Sequence, residues 1–443
     1  MNMTRKKGDG SSCSRSQDVD CGYAWVVAFV AFASHFIMGG FAYTTGVFYV
    51  EFLEVFKESR GTTAWISSLL YGMLCATGPV ASILICVWGC RWVLLCGTLI
   101  SSAGMIATIF AHKIYVVFFT LGITTGFGFG LIFTTAVISI SFHFQRYRSL
   151  MLGVSLAGGG IGTMAYPWIS RALIQAYAWR GALVMSSGIN LHLAVLAFLL
   201  PNKSPLDPKY SHPKKVGKSQ EHWKEKFRLH LFKSLVFNLL SVNCVFFNFA
   251  LLLIYTHISA YTLSLGLGQR VADSLISMLG IASLVGRVSL GAVGQLQRVN
   301  VPMLFVVCYA LAGLATIALG LLHSVLGLTI SIFICGVFAA AYGPLLGEVT
   351  FLIAGPRDFN HAYGYLLIYQ GLGTVLGPPI AGVVYDLSHV YQASFYLGGC
   401  AFLVSSIVMI PHFCFLQNYK YKEEEGPESE CITIKIKDTD DCI

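Results

Sequence analysis

The sequence predicts an all-α membrane protein with twelve transmembrane helices in two bundles of six. Three observations carry this. Hydrophobic residues make up 56% of the chain and charged residues 11%, with mean hydropathy +0.69. A soluble domain carries roughly 25% charged residues, so this chain has too few to cover a water-facing surface. Apolar runs of the ~20 residues needed to span a bilayer recur along the chain. A basic, proline-bearing stretch at 201–233 then divides those runs into two sets. The 45 glycines suit the same class, because small residues let helices approach closely in lipid.

Taken in order, residues 1–19 are short of apolar groups and carry Arg5, Lys6, Lys7 and Arg15. They read as a solvated tail, without the apolar segment of a cleavable signal peptide. Six spans follow, near 23–50, 64–89, 92–111, 114–141, 149–176 and 180–200, which makes a first bundle over 20–200. The linker runs through Pro201, Pro205, Pro208 and Pro213 with lysines and an arginine from Lys203 to Lys233. Six more spans, near 234–263, 272–294, 302–322, 325–347, 361–384 and 393–415, make a second bundle over 234–415. The tail 416–443 carries Glu423-Glu424-Glu425 and ends Asp441-Cys442-Ile443. That ending has a form a PDZ groove accepts by strand addition, although a plain solvated tail is the simpler reading.

Lysine and arginine set the sidedness. With both tails and the linker on one side, most of the 29 basic residues gather there, among them Arg91, Arg146, Arg148, Arg298 and Arg357. The other side keeps Lys57, Arg60, Lys113, Arg171, Arg180 and Arg270. The excess predicts cytoplasmic termini and accounts for the net charge of +8 without a nucleic-acid partner. Membrane lipid is the expected surroundings. Of the 13 cysteines, most lie in or beside apolar runs and none forms a CxxC pair, so a disulfide frame or metal site is not expected.

Arg287 is then the one basic residue left within a span, in Leu279-Gly280-Ile281-Ala282-Ser283-Leu284-Val285-Gly286-Arg287. A guanidinium in hydrocarbon costs at least ~2.5 kcal/mol, so it belongs in a cavity or the bundle interior. A structural pair with a backbone carbonyl or with Glu348 is the competing reading. Ser283 lies one turn before it on the same face. His35, Gly39 and Tyr43 repeat at helical spacing in the first span, either as a polar stripe on a cavity or as a packing seam. His35 has an unperturbed pKa near 6.5 and is the coupling candidate. His257, Tyr261 and Ser264 share a face of span seven, where a gate and an interfacial aromatic belt both fit. Glu348, near the end of span ten, fits a structural or a transport role. The glycines of spans four and five, including Gly158-Gly159-Gly160 and Gly162, read as faces for close helix crossing. No enzyme motif, no paired carboxylates within a span and no selectivity-filter repeat are found.

Two six-helix halves joined by a basic linker resemble the layout of major facilitator transporters, which bind substrate near the midplane between the halves. Asp20-Cys21-Gly22-Tyr23-Ala24-Trp25 resembles the first-helix signature of the monocarboxylate transporter family, with Cys21 and Ala24 in place of glycines. His143-Phe144-Gln145-Arg146-Tyr147-Arg148-Ser149-Leu150 with Gly153 is similar to the family's second signature. There, Tyr147 replaces a basic residue and Met151 an alanine. Trp179-Arg180-Gly181, the segment Gly280 to Gly291, Glu348 with Gly355-Pro356-Arg357-Asp358, and Gly377-Pro378-Pro379 through Asp386 also resemble the family. The resemblance covers residues 20–415.

The resemblance implies the family fold and a carboxylate-binding Arg287. It also exposes two departures. Tyr43 stands where proton-coupled members have a lysine, and Ser283 where they have an aspartate. A divergent member is expected, at the plasma membrane, with no cofactor. Its substrates would be small solutes bearing a carboxylate: monocarboxylates, or compounds such as creatine, carnitine or aromatic amino acids. The substrate-binding residues expected are Arg287, Tyr43, Ser283 and His35; His35, His257 and Glu348 are the coupling or gating candidates. Without the lysine and aspartate, facilitated transport is the first reading. A His35-linked proton symport and a transporter-like sensor or scaffold are the alternatives. Some members pair with a single-span immunoglobulin-type glycoprotein, and the resemblance carries that partner as an expectation.

Overall fold

The computed structural model describes residues 22–144, 148–201, 229–294 and 299–411. The expected tails and most of the basic linker lie outside these, as do Cys21, Gln145, Arg146, Tyr147 and Arg298 of the sequence analysis. Among the described residues every regular element is a helix.

Helices α1 (Ala24–Tyr43) and α2 (Thr45–Phe56) continue into one another as a single 33-residue span. After a short turn, α3 (Arg60–Ala76) and α4 (Gly78–Trp88) follow, bent by 41° at Thr77. Pro79 opens α4, where its missing N–H is tolerated but would interrupt a continuous helix. Next come α5 (Cys90–Thr108) and α6 (Ile114–Val117). The latter passes through a π-helical stretch, Phe118–Thr125, into α7 (Gly126–His143).

The helix α8 (Arg148–Phe198) has 51 residues, ~76 Å of rise, far more than one bilayer crossing. It breaks at Ala178, whose φ of 56° and ψ of 174° are not helical, so it supplies two spans. Beyond the linker lie α9 (Leu235–Ser264), α10 (Gln269–Gly294), α11 (Val301–Leu321), α12 (Val325–Ala339), α13 (Tyr342–Ser388) and α14 (Tyr391–Val408). Side-chain caps start several of them: Ser59 Oγ accepts from Thr62 N at 3.1 Å, and Asn300 Oδ1 from Met303 N at 3.2 Å.

Among the described residues nine helices are long and apolar enough to cross a membrane, or ten if the bent α3–α4 pair is one span. The break at Ala178 divides one of these, and Val325–Ala339 with Leu345–Ala354 can build another. The helices are thus consistent with twelve crossings. Large apolar side chains stand on the outside, Ile83 at 65% and Leu326 at 70% exposure. A surface of that kind belongs against acyl chains.

The first half of α8 lies tightly on α1. A side chain at Gly158 would collide with the Phe32 carbonyl, and one at Gly162 with that of Phe36. Between the N-terminal half (α1–α8) and the C-terminal half (α9–α14), α3 lies on α13 and α8 on α10. Gly61 and Gly382 face each other there: a Cβ on Gly382 would come within 2.6 Å of the Gly61 backbone. Because the helices alternate in direction, the bundle has an end carrying Ala24 and Val408, the near end, and an opposite far end.

Candidate functional site

A cavity of about 120 Å³ lies between the two halves, several times the space one water needs. Helices α1, α3, α4, α7 and α8 form one wall; α9, α10 and α13 form the other. Arg287 enters it from α10. Its Nη1 donates to the Leu156 carbonyl on α8 at 2.7 Å, across the boundary between the halves, and the Tyr43 hydroxyl lies beside it. No aspartate or glutamate lines the cavity among the described residues. A guanidinium has five N–H donors in a planar fork, and one backbone carbonyl occupies only part of that capacity.

The stripe expected in the first span faces this cavity: His35, Gly39 and Tyr43 all line it. The Nδ1 of His35 is 2.8 Å from the Ala31 carbonyl and 2.9 Å from Ser155 Oγ. A carbonyl can only accept, so Nδ1 carries the proton and Nε2 keeps its lone pair. That Nε2 is buried without a hydrogen-bond partner among the described residues. Phe133 sets its edge against the ring at 5.2 Å. Tyr43 packs on Tyr255 of the opposite half at 4.8 Å and on Tyr71 at 5.3 Å, so three tyrosines roof the cavity toward the far end.

Ser283 is buried one turn before Arg287 but is not among the cavity-lining residues. His257 also lies outside the cavity. It is fully buried above the tyrosine roof, with Nε2 donating to the Pro378 carbonyl at 2.9 Å and Tyr49 against its ring at 5.1 Å. The belt reading of Tyr261 fails, because its ring is fully buried and its hydroxyl donates to the Leu319 carbonyl at 2.9 Å. Ser264 Oγ turns back to the Tyr261 carbonyl. The Glu348 side chain lies outside the described residues.

The far end holds what sequence reading missed. Arg171, expected as an outer topogenic residue, is 9% exposed and binds two acids. Its Nη1 is 2.8 Å from Glu51 Oε1, and its Nε is 3.2 Å from Asp273 Oδ2. Glu51 belongs to α2 and Asp273 to α10, so this triad ties the two halves together. Arg287 is therefore not alone as a span-borne arginine, and carboxylates from two different spans share Arg171. A second clamp lies nearby. Asp386 of α13 accepts from the backbone N–H groups of Arg60 at 3.2 Å and Gly61 at 3.0 Å, satisfying donors left open at the start of α3. Arg60 Nε donates to the Tyr391 hydroxyl at 2.6 Å, and its guanidinium covers the Tyr385 ring at 3.8 Å. Ser67 and Thr256 hydroxyls meet across the halves at 3.1 Å. Residues 51, 171 and 273 have no local spacing to connect them. The available signal was Asp273, a carboxylate just inside an apolar run.

The family model of the Major Facilitator Superfamily matches residues 30–319 and 293–437. The chain is 30% identical to human Monocarboxylate transporter 11 over 399 residues, covering 88% of this chain and 83% of that protein. It is 26% identical to human Monocarboxylate transporter 14 over 471 residues, covering 90% and 92%. Among solved structures it resembles the peptide transporter POT in complex with sulfate, with TM-score 0.71, 15% identity, and 91% and 98% of the chains covered. It also resembles a mutant of the nucleoside transporter NupG, with TM-score 0.69, 14% identity, and 89% and 100% covered. At that identity the structures speak for the fold, while the sequence relatives speak for transport. The protein is a multi-pass membrane transporter of small organic solutes, not an enzyme. It belongs to the Major Facilitator Superfamily and, within it, to the monocarboxylate transporters as a divergent member.

Proposed function

We propose that this protein carries small solutes bearing a carboxylate across the plasma membrane by alternating access, as a facilitative transporter with cytoplasmic termini. The supporting observation is Arg287, a cation in a central cavity that no described carboxylate lines. Two charge-assisted hydrogen bonds from the planar fork suit a carboxylate, and burial away from water strengthens them. On the expected topology the near end is cytoplasmic and the far end extracellular. The cross-half clamps on Arg171 and Asp386 gather at the far end, so this arrangement is the one sealed toward the outside. Transport then requires those clamps to open in each cycle.

The test is uptake of labelled carboxylates into vesicles holding the purified protein. Arg287→Gln and Arg287→Lys are expected to abolish uptake with membrane expression intact, because a lysine cannot reproduce the two-pronged geometry. Normal uptake by the glutamine variant would overturn the assignment. Absence of transport over a broad panel, with binding retained, would favour a sensor.

A second reading rests on His35, whose Nε2 is a buried base without a hydrogen-bond partner among the described residues, on a side chain that lines the cavity. A proton taken there would make the protein a symporter. An inward proton gradient imposed on the vesicles separates the two. Uphill accumulation in the wild type that is lost in His35→Ala would establish the histidine route, whereas no accumulation above equilibrium supports facilitation.

A further inference from the structure

Apart from Arg287, the wall contributed by the C-terminal half carries a pair of carboxamides, Asn248 on α9 and Gln370 on α13, and both line the cavity. The remaining side chains lining that wall are apolar or carry a hydroxyl, such as Leu251, Leu252 and Thr374. Burying an amide beside apolar groups without a full set of partners is unfavourable.

The orientation of the pair follows from its anchor. Asn248 Nδ2 donates to the Cys244 carbonyl at 2.8 Å. That carbonyl can only accept, so the nitrogen must face it and Oδ1 must point the other way. Gln370 Nε2 donates to this Oδ1 at 3.2 Å. The relay therefore sets Gln370 as well: its nitrogen is turned to Asn248, and its carbonyl oxygen Oε1 is left over. Among the described residues no hydrogen bond reaches Oε1, and Gln370 is only half-buried, on the cavity wall. An acceptor whose orientation is held by two successive hydrogen bonds is prepared for a donor on a ligand.

We propose that Gln370 is a specificity-determining residue, whose Oε1 accepts a hydrogen bond from a hydroxyl or N–H group on the substrate. The preferred substrates are then carboxylates that also bear a hydrogen-bond donor, the carboxylate going to Arg287 and the donor to Gln370. Asn248 is the positioning residue behind it. The inference rests on the carboxylate reading of Arg287. Discrimination of this kind is strong, since an analogue lacking the donor covers the acceptor and leaves it unpaired.

The experiment measures binding to the purified full chain by calorimetry, with matched probes that differ by one hydroxyl: 3-phenyllactate against 3-phenylpropionate, and 3-hydroxybutyrate against butyrate. The wild type is expected to bind the hydroxylated member of at least one pair ~10-fold or more tightly, a modest figure for such a contact. Gln370→Met, similar in length and without the acceptor, is expected to lose that preference while still binding the plain carboxylate. Asn248→Leu removes the anchor behind Gln370 while leaving its acceptor in place, and is expected to weaken the preference with plain carboxylate binding kept, which decides the matter if the methionine variant does not fold. Equal binding of both members of every pair by the wild type would overturn the inference and leave the carboxylate reading standing. So would a preference that survives undiminished in Gln370→Met or in Asn248→Leu. If neither member of any pair binds, the carboxylate reading falls and this inference with it.

Discussion

Arg171 and Arg287 are both arginines inside the bundle, and their surroundings are opposite. Arg171 sits between Glu51 and Asp273, within 2.8 Å and 3.2 Å of their oxygens, at the far end of the bundle. Arg287 sits in the central cavity, bonded to a backbone carbonyl and lined by no described acid. A paired buried charge holds structure together, because removing either partner leaves the other stranded. A charge with spare donors in a cavity is free to bind something from outside. The contrast teaches that the meaning of an intramembrane arginine lies in its counterions and not in its depth.

The largest effect should come from breaking the paired site. In Arg171→Ala two carboxylates lose their cation, a loss of ~3–5 kcal/mol for a buried pair. The far end should then open more often. Cys75, which lines the cavity, reports this when the other cysteines are replaced. Labelling by a membrane-impermeant thiol reagent from the far side should rise ~10-fold or more, tenfold corresponding to about 1.4 kcal/mol. Exchanging the charges, Arg171→Asp with Asp273→Arg, should return part of the seal; no recovery would argue against a direct pair. A smaller effect is expected of Asp386→Ala, which removes a carboxylate from two backbone donors and should weaken the seal by roughly 1–3 kcal/mol. The same labelling assay orders the two variants, and a larger effect for Asp386 would reverse their ranking. Smallest of all is Ala178→Gly. Ala178 turns the chain between the two spans of α8 with φ 56°, a region that favours glycine. That change should raise thermal stability by up to ~1 kcal/mol without altering labelling.

The helices were legible because lipid allows little else: long apolar runs must satisfy their own backbone, and helices do so. The stripe His35, Gly39 and Tyr43 was legible as a face because helical spacing is local. Ser283 was placed by the same local rule next to Arg287, yet it is absent from the cavity wall, since sharing a face with Arg287 does not say which neighbour that face meets. Tyr261 was read from its position near a helix end, whereas its ring fills space between helices. The Arg171 triad and the clamp from Asp386 to the start of α3 join residues more than one hundred positions apart, and they depend on how the halves dock. Nothing local encodes such a meeting. The relay from Cys244 through Asn248 to Gln370 is likewise invisible until α9 and α13 are set side by side.

The most direct test of this account removes one positive charge at a time and asks which removal abolishes ligand binding. Binding of a transported carboxylate to purified protein should be lost in Arg287→Gln and kept in Arg171→Gln, although the latter opens the far end to labelling. Binding that survives the loss of Arg287, or that disappears equally in both variants, would contradict the division between a charge that seals and a charge that binds.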